Sequence, residues 1–349
     1  MRNRNRRKEE FKEIPTMNKA LKITGGRSYY DEVTFLRGFS ILTIVLMHFI
    51  QNDSLPGIVN KILSIGGTGV HVFFFCSGFG LFLSYLKKPL KYTEFLKKRF
   101  FKVYIPYIVV VSISALLPYM YDGNRLGAWL SHVFLYKMFI PVYEESFGPF
   151  WFISTLFQFY FLFVPMVRLK ENIGPKKWFV GCSSLSITWW VFTAITGLSD
   201  QRIWGSFFLQ YLWEFALGIV IAEYLKSGKS ITIKTKWLIV IGIIGIGIAG
   251  VAKVVGGYFT AFNDIFAAFG YGAISLFIYT MGCSAINKFI FFTSKISYEL
   301  YLVHMLVFYT IRLFVPSYVF SIILSLFTSY VIAFVYQSLI KNKKVLCFE

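Results

Sequence analysis

The sequence predicts an all-α protein, a polytopic bundle of about ten membrane-spanning helices with both termini in the cytoplasm. Composition is the first reason: 56% of the residues are hydrophobic, 15% are charged, and the mean hydropathy is +0.61, which is typical of chains surrounded by lipid. The second reason is that the apolar residues fall into stretches of about 20, the length that a bilayer core requires. The predicted spans are 33–51, 67–86, 101–120, 149–168, 177–196, 205–225, 237–255, 262–280, 289–313 and 318–340.

The excess of basic residues orients these helices. The chain carries 36 Lys and Arg against 17 Asp and Glu, a net charge of +19, which in a soluble protein would indicate nucleic acid as a partner. Yet 28 of the 36 lie before the first span, in alternate loops after it and in the tail, against six on the other side. Basic residues accumulate on the cytoplasmic side of membrane proteins. We therefore expect contact with anionic lipids and no nucleic-acid partner.

The spans divide the chain into a basic cytoplasmic N-terminal arm (1–32), a transmembrane bundle (33–340) and a cytoplasmic tail (341–349). The longest segment outside the spans, after the arm, is 121–148, which is too short for a soluble catalytic domain. Its apolar run, 129–140, is expected to lie in the outer interface or to re-enter the membrane. Any chemistry therefore belongs to the bundle or its short loops.

Neither the glycine pattern nor the cysteines of the chain indicate a cofactor or metal site. Gly245, Gly247 and Gly250 spell GxGxxG inside a predicted span, where small residues permit close helix packing and no strand is available for a dinucleotide site. The four cysteines are isolated, without a disulfide framework or a CxxC metal pattern. The sequence predicts no metal site.

Ionisable residues inside the spans are candidates for function, because a charge in hydrocarbon costs several kcal/mol. They are Arg37, His48, Glu214, Lys295, Glu299 and His304, with His71 and Asp264 near span ends.

Arg37 and His48 lie eleven residues apart on the first predicted helix. Eleven residues turn the helix through about 1100°, only about 20° past three full turns, so the two side chains share a face with a rise of ~16 Å between them. One interpretation is a long ligand that is anchored at Arg37 and reaches a base at His48. The other, equally compatible with the spacing, is an interhelical hydrogen bond from His48 and an Arg37 side chain that extends to the membrane surface.

The ninth span contains three of these ionisable residues, Lys295, Glu299 and His304. Lys295 and Glu299 are four residues apart and could pair, which would make Glu299 structural rather than catalytic. Glu299 and His304 diverge by about 140° on a straight helix and are not expected to form a dyad. Tyr301 and His304 share a face that either lines a cavity or makes interhelical hydrogen bonds. Glu214 has no partner in its own segment.

The loop after the second span is strongly basic. Arg99 and Lys102 are three residues apart at its end, a spacing that allows both to contact one phosphate at a helix start. The earlier lysines of this loop are expected only to orient the helices.

Five segments together resemble the acyltransferase family 3 membrane proteins, which acylate surface polysaccharides and related acceptors. They are Leu36-Arg37-Gly38 with His48, Phe73-Phe74 with Ser77-Gly78-Phe79, Arg99 and Lys102 before Pro106-Tyr107, Trp151-Phe152 through Tyr160, and Ser297-Tyr298-Glu299-Leu300-Tyr301-Leu302 with His304. The chain departs from the family pattern in three places: His71 stands where many members have Asp, Lys102 replaces an Arg, and the Glu pair that some branches carry after Trp151 is missing.

The resemblance implies an integral enzyme of the bacterial plasma membrane that transfers an acyl group, with acetyl expected, from cytoplasmic acyl-CoA to a hydroxyl of a cell-surface or lipid-linked carbohydrate. Cell-envelope assembly proteins are implied as partners. His48 is implied as general base or as a covalently acylated nucleophile, with Arg37 as a second catalytic residue. The implied coenzyme contacts are Arg37, Arg99, Lys102 and Ser77; the implied acceptor contacts are His71, Tyr301, His304, Glu299 and Trp151; and the oxyanion donor is expected among Ser77, Tyr301 and His304.

Two other classes of protein remain open from the residues alone. A transporter or exporter of lipid-linked sugars also has aromatic spans and intramembrane charges, although no inverted repeat or pair of matching broken helices is evident. A non-catalytic interaction subunit is the third possibility.

Overall fold

The computed structural model describes residues 20–51, 55–199 and 201–346. The arm before residue 20 and the last three residues of the tail lie outside the described residues. The elements are almost all helical. In chain order they are β1 (Ala20–Ile23), α1 (Asp31–Ile50), α2 (Gly57–Leu63), α3 (Gly69–Lys87), α4 (Tyr92–Arg99), α5 (Ile105–Leu116), α6 (Arg125–Val133), α7 (Trp151–Ile173), α8 (Pro175–Ile195), α9 (Arg202–Gly205), α10 (Phe208–Lys226), β2 (Ile231–Lys234), α11 (Thr235–Val255), α12 (Tyr258–Phe262), α13 (Asp264–Thr280), α14 (Ser284–Lys295), α15 (Ser297–Phe314) and α16 (Tyr318–Leu346).

Eight helical segments of the described residues are long and apolar enough to cross a membrane. They are Asp31–Ile50, Gly57–Lys87, Tyr92–Leu116, Trp151–Ile173, Pro175–Ile195, Arg202–Lys226, Thr235–Val255 and Tyr318–Ile340. Helices are favoured in lipid because each pairs its backbone polar groups within its own segment. The predicted all-α membrane bundle is confirmed, and eight of the ten predicted spans correspond to these segments.

The other two predicted spans have different forms. The eighth is α13, an apolar helix of 17 residues. The ninth is not one helix, because α14 ends at Lys295 and α15 begins at Ser297. Helix ends leave carbonyl groups without backbone partners, and here side chains of distant helices supply donors: Arg37 donates to the carbonyl of Ser294, and Gln337 donates to that of Lys295.

This break corrects one expectation from the sequence. The spacing of Lys295 and Glu299 allowed a pair, because residues four apart are neighbours on one helix. They lie on different helices, so that argument does not apply to them. Glu299 instead accepts a hydrogen bond from Nε2 of Gln337 at 3.3 Å.

A small antiparallel sheet is the one departure from the all-α prediction among the described residues. β1 pairs with β2 in a register that joins Ala20 to Lys234 and Ile23 to Ile231. The strands are four residues each, too short to be recognised between long helices. Their pairing places the end of the N-terminal arm beside the loop between α10 and α11, at what we call the basic end of the bundle.

Glycines permit the closest helix packing. A Cβ at Gly78 of α3 would overlap the backbone of Phe215 on α10, and one at Gly218 of α10 would overlap the backbone of Phe75. These two helices therefore approach each other at backbone distance, as small residues allow in membrane proteins. Gly245 of the GxGxxG pattern faces the backbone of α13 in the same way, as the sequence analysis predicted.

Residues 118–148 fold over the end of the bundle opposite to the basic end, and we call them the cap. The cap contains α6 and short 3-10 turns, and Lys137 is fully buried in it. Nζ of Lys137 donates to the carbonyls of Ser146 at 2.8 Å and Gly148 at 2.7 Å. Burial lowers the pKa of this lysine to about 7. Lys137 therefore joins two carbonyls of the cap from inside.

Candidate active site in a cavity through the bundle

A cavity of about 1120 Å³ extends through the bundle from the basic end to the cap. Its lining includes Arg99, Lys102, Lys295 and Gln337 at the basic end, and Gln51, Glu144, Arg202 and Lys253 at the opposite end. Of the residues that the sequence analysis selected for a site, Arg37, His48, His71, Ser77, Arg99, Lys102, Trp151, Glu299 and Tyr301 all line it. His304 lies directly behind His48 and is fully buried. The cavity therefore brings together residues from most of the chain.

His48 of α1 and His304 of α15 form a hydrogen-bonded pair. Nδ1 of His48 lies 2.9 Å from Nε2 of His304. Nδ1 of His304 in turn lies 2.8 Å from the carbonyl of Tyr301 and 3.2 Å from that of Leu300. The sequence placed both histidines among the candidates but could not name the partner of His48.

These contacts determine which nitrogens carry protons. A carbonyl oxygen only accepts, so Nδ1 of His304 is the donor and Nε2 of the neutral ring holds a lone pair. That lone pair accepts a hydrogen bond from Nδ1–H of His48. Nε2 of His48 is then left with a lone pair of its own, on a ring that lines the cavity. This arrangement suits a general base, because an oriented partner selects the tautomer that presents the base nitrogen.

Arg37 lines the cavity nearer to the basic end. Its Nε donates to Oγ of Ser294 at 3.0 Å, and its Nη2 donates to the Ser294 carbonyl at 3.1 Å. α1 approaches α14 closely because a Cβ at Gly38 would overlap the backbone of Ile290. The guanidinium is thus held by one edge, and its Nη1 remains for a ligand. As predicted, Arg37 and His48 face the same space.

Arg99 is the least exposed of the cations that line the basic end of the cavity, with 9% of its surface accessible. Its guanidinium lies over the rings of Phe95 and Tyr160, at 5.3 and 5.7 Å from their centroids. Its Nε has no hydrogen-bond partner, and no carboxylate lies within 4.0 Å of it among the residues that the structure describes. A buried cation without a counter-ion is a candidate binding group for an anion.

Lys102 lies in a single π-helical turn, Phe100–Tyr104, that follows Arg99 directly. π turns are rare and are common at functional sites, because the extra residue per turn redirects side chains. Tyr298 of α15 donates to the carbonyl of Val103 in this turn at 2.6 Å and so ties it to the start of the helix that carries His304. Both basic residues of the predicted phosphate contact therefore line one cavity wall.

Three residues were candidates for stabilising an oxyanion. The hydroxyl of Tyr301 donates to the Pro149 carbonyl at 2.6 Å, and both nitrogens of His304 are engaged. Ser77 of α3 is half-buried in the cavity wall. Of the three, Ser77 is the residue whose hydroxyl proton the described contacts leave available.

The cap end of the cavity is aromatic and charged. Trp151 lies under the guanidinium of Arg202 at 5.4 Å and beside the ring of Tyr211 at 5.9 Å. Nε of Arg202 lies 3.4 Å from a carboxylate oxygen of Glu144. An aromatic face flanked by charged groups is suited to a polar ring with hydroxyl groups. Arg202 and Glu144 were not among the predicted site residues, because nothing in their own segments marks them.

A second cluster lies in the wall of the cavity, formed by His71 of α3, Glu214 of α10 and Asp264 of α13. One ligand atom from each residue lies within 4.8 Å of the others. Glu214 and Asp264 are buried, with 1% and 6% of their surfaces accessible. Glu214, which had no partner in its own segment, contacts Nδ1 of His71 at 2.7 Å.

The fold and the cavity define the class: an integral membrane protein whose helices surround a polar cavity, with a histidine pair inside and cations at one end. The family model of the acyltransferase 3 family, described as an acyltransferase domain, matches residues 30–337. The chain belongs to this family and is a membrane acyltransferase, which confirms the resemblance seen in its motifs. No curated protein and no solved structure matches the chain.

Proposed function

We propose that the protein transfers an acyl group, with acetyl as the expected group, from acyl-CoA bound at the basic end to a carbohydrate hydroxyl that enters from the cap end. The observation that carries the proposal is that one cavity contains both the buried Arg99, which has no carboxylate within 4.0 Å among the described residues, and the His48–His304 pair. The first provides a binding group for an anionic coenzyme and the second provides a base.

The donor end follows from charge. Arg37, Arg99 and Lys102 line the basic end, where the phosphates of CoA would bind. The pantetheine arm then extends along the face that Arg37 shares with His48, over a rise of ~16 Å on α1. This places the thioester beside His48, in the interior of the bundle. The basic end is expected to face the cytoplasm of a bacterial cell, where acyl-CoA is made and where anionic lipids contact the surrounding lysines.

The transfer step uses His48 as general base. Nε2 takes the proton of the acceptor hydroxyl while the hydroxyl oxygen attacks the thioester carbon, the C–S bond breaks, and the thiolate leaves as CoA. Ser77 donates to the carbonyl oxygen as negative charge develops there. Nε2 of His304 accepts a hydrogen bond from Nδ1–H of His48 and so stabilises the positive charge that forms on the His48 ring. His304 therefore acts as a positioning residue. Trp151 and Tyr301 contact the acceptor sugar, and His71 lies in the cavity wall. Glu299, which accepts from Gln337 at the basic end, lies on the donor side of the cavity.

The test is acetyl transfer from labelled acetyl-CoA by the purified, full-length protein in detergent, with oligosaccharides from the cell envelope as acceptors. Replacement of His48 by Ala should lower turnover by about 10²- to 10⁴-fold, the usual contribution of a general base. Turnover like that of the wild type would show that His48 is not the base.

Coenzyme binding is tested separately by thermal stabilisation with CoA. The Arg99→Ala variant should weaken CoA binding by about 10- to 150-fold, because a hydrogen bond to a charged group contributes about 1.5–3 kcal/mol. Lys98→Ala is the matched control: Lys98 is the neighbouring cation, is exposed and does not line the cavity. If CoA does not stabilise the wild type, or if both variants lose stabilisation equally, the donor site is wrong.

A further inference from the structure

The cluster of His71, Glu214 and Asp264 has a geometry that a second acid–base site does not explain. His71 lies in the cavity wall, whereas the two carboxylates are buried behind it on α10 and α13. Nδ1 of His71 is 2.7 Å from Oε1 of Glu214. Because a carboxylate only accepts, this nitrogen is the donor.

The other ring nitrogen faces a second acceptor. With Nδ1 protonated, neutral His71 carries a lone pair on Nε2, and this atom lies 3.6 Å from Oδ1 of Asp264. That separation is longer than a hydrogen bond. Two electron-pair donors thus face each other across a gap, which is the arrangement that a cation requires.

The width of the gap matches a metal ion. A first-row ion bonded to both atoms at about 2.1 Å would subtend an angle of about 118° at the metal, between the tetrahedral and trigonal values. A histidine nitrogen together with carboxylate oxygens is a common ligand set for Zn²⁺ and its neighbours. An ammonium group, with longer contacts of about 2.8 Å, would be held at an unfavourable angle of about 80°.

Each of the two ligands is oriented from behind. Glu214 holds His71 through Nδ1, which is the carboxylate–histidine arrangement common at metal centres. Nε2 of Gln210 donates to the remaining oxygen of Asp264, Oδ2, at 2.7 Å. Gln210 and Glu214 are four residues apart, so one face of α10 supports both ligands. Oε2 of Glu214 is buried and has no partner among the described residues, but it lies behind His71, on the Nδ1 side of the ring, and not at the gap.

The charge of the cluster also favours a cation. Two carboxylates buried in a membrane bundle are stabilised by positive charge nearby. Lys253 lines the same cavity, but its Nζ donates to the carbonyl and hydroxyl oxygens of Ser64 at 2.8 and 3.1 Å. Within the described part of the chain, no ion pair of 4.0 Å or less joins Lys253 to Asp264.

We propose that His71 and Asp264, with Glu214 holding His71 from behind, bind one divalent first-row transition-metal ion, of which Zn²⁺ fits the geometry, in the wall of the cavity. No metal was predicted from the sequence, because these residues come from three helices and form no local pattern. The remaining coordination positions face the cavity, where an oxygen atom of the acceptor can enter them. The site does not depend on CoA binding or on His48.

The test uses the tag-free, full-length protein, stripped with EDTA and dialysed against micromolar ZnCl₂. Mass spectrometry of the metal content should find about one Zn²⁺ per chain, and the unfolding temperature should rise by several degrees over that of the stripped protein. His71→Gln and Asp264→Asn should each lower the bound Zn²⁺ at least about tenfold.

His132→Gln is the matched control, because His132 is a buried histidine of the cap that bonds to Tyr107 and Ser146 instead. It should keep about one Zn²⁺ per chain. Gln210→Met leaves His71, Asp264 and Glu214 in place and should weaken Zn²⁺ binding about 10- to 100-fold, which provides a second measurement if the ligand variants do not fold. Zn²⁺ content well below one per chain in the wild type would overturn the proposal. So would full Zn²⁺ content in His71→Gln and Asp264→Asn.

Discussion

Replacing His304 is the sharpest test of how His48 is oriented. The structure gives Nδ1 of His48 one acceptor, Nε2 of His304 at 2.9 Å, and fixes that acceptor through the Tyr301 carbonyl. In a His304→Leu variant the volume is largely kept, but the Nδ1 proton of His48 loses its acceptor. The ring is then free to take the other tautomer or to rotate.

The size of the effect follows from the hydrogen bond that is lost. Leaving a buried donor without a partner costs about 1–3 kcal/mol, and about 1.4 kcal/mol corresponds to a factor of ten in rate, so kcat should fall about 5- to 150-fold. KM for acyl-CoA should change little. The bond strengthens when His48 becomes positively charged, so its loss affects the transition state more than the bound substrates.

The assay is steady-state acetyl transfer by wild type, His304→Leu and His304→Gln, with unfolding temperatures measured for each. The amide oxygen of the Gln variant can accept from His48, so this variant should recover much of the lost rate. His304 does not orient His48 if the Leu variant keeps wild-type kcat, or if its defect lies in KM alone. The same conclusion follows if the Gln and Leu variants, both folded, are equally slow.

Three further predictions concern other parts of the molecule. Arg99→Lys keeps the charge but loses the planar fork, so CoA should bind roughly tenfold more weakly in a thermal-shift titration; unchanged affinity would mean that charge alone matters there. Burial lowers the pKa of Lys137 to about 7, whereas a lysine in the unfolded chain has a pKa of about 10.4. At pH values between these two pKa values, Lys137 is protonated in the unfolded chain but neutral in the folded one. The unfolding temperature of the wild type should therefore rise with pH relative to that of Lys137→Met. Parallel plots of unfolding temperature against pH for the two proteins would contradict this. Gly218→Ala should lower the unfolding temperature by several degrees because the new Cβ meets the backbone of Phe75, whereas Gly80→Ala, with nothing within 4 Å, should not; equal melting of the two variants would be the contrary result.

The spans could be predicted because lipid imposes a simple requirement of length and hydrophobicity. The prediction of the ninth span as one helix was wrong, because length and hydrophobicity give no information about a break inside an apolar segment. α14 and α15 meet without a proline or glycine, and the carbonyls at the break are paired by Arg37 and by Gln337, which come from opposite ends of the chain. A hydropathy pattern contains no trace of such distant donors.

The site was predicted to the extent that it depends on helical periodicity. Arg37 and His48 were placed on one face by their spacing, and both line the cavity. The pairs His48–His304 and His71–Glu214 join residues of different helices, so they required the packing of the bundle. One local signal was available: Gln210 and Glu214 share a face of α10, a polar stripe in an apolar helix.

The two histidine pairs explain how one cavity can hold two different kinds of site. The partner of His48 is the neutral imidazole of His304, which orients the ring without adding negative charge, so His48 stays unprotonated as a base must before it accepts a proton. The partner of His71 is the carboxylate of Glu214, which favours positive charge on its side of the cavity. The proton acceptor and the proposed cation site therefore differ through the residue behind each ring, and exchanging these partners should impair both sites.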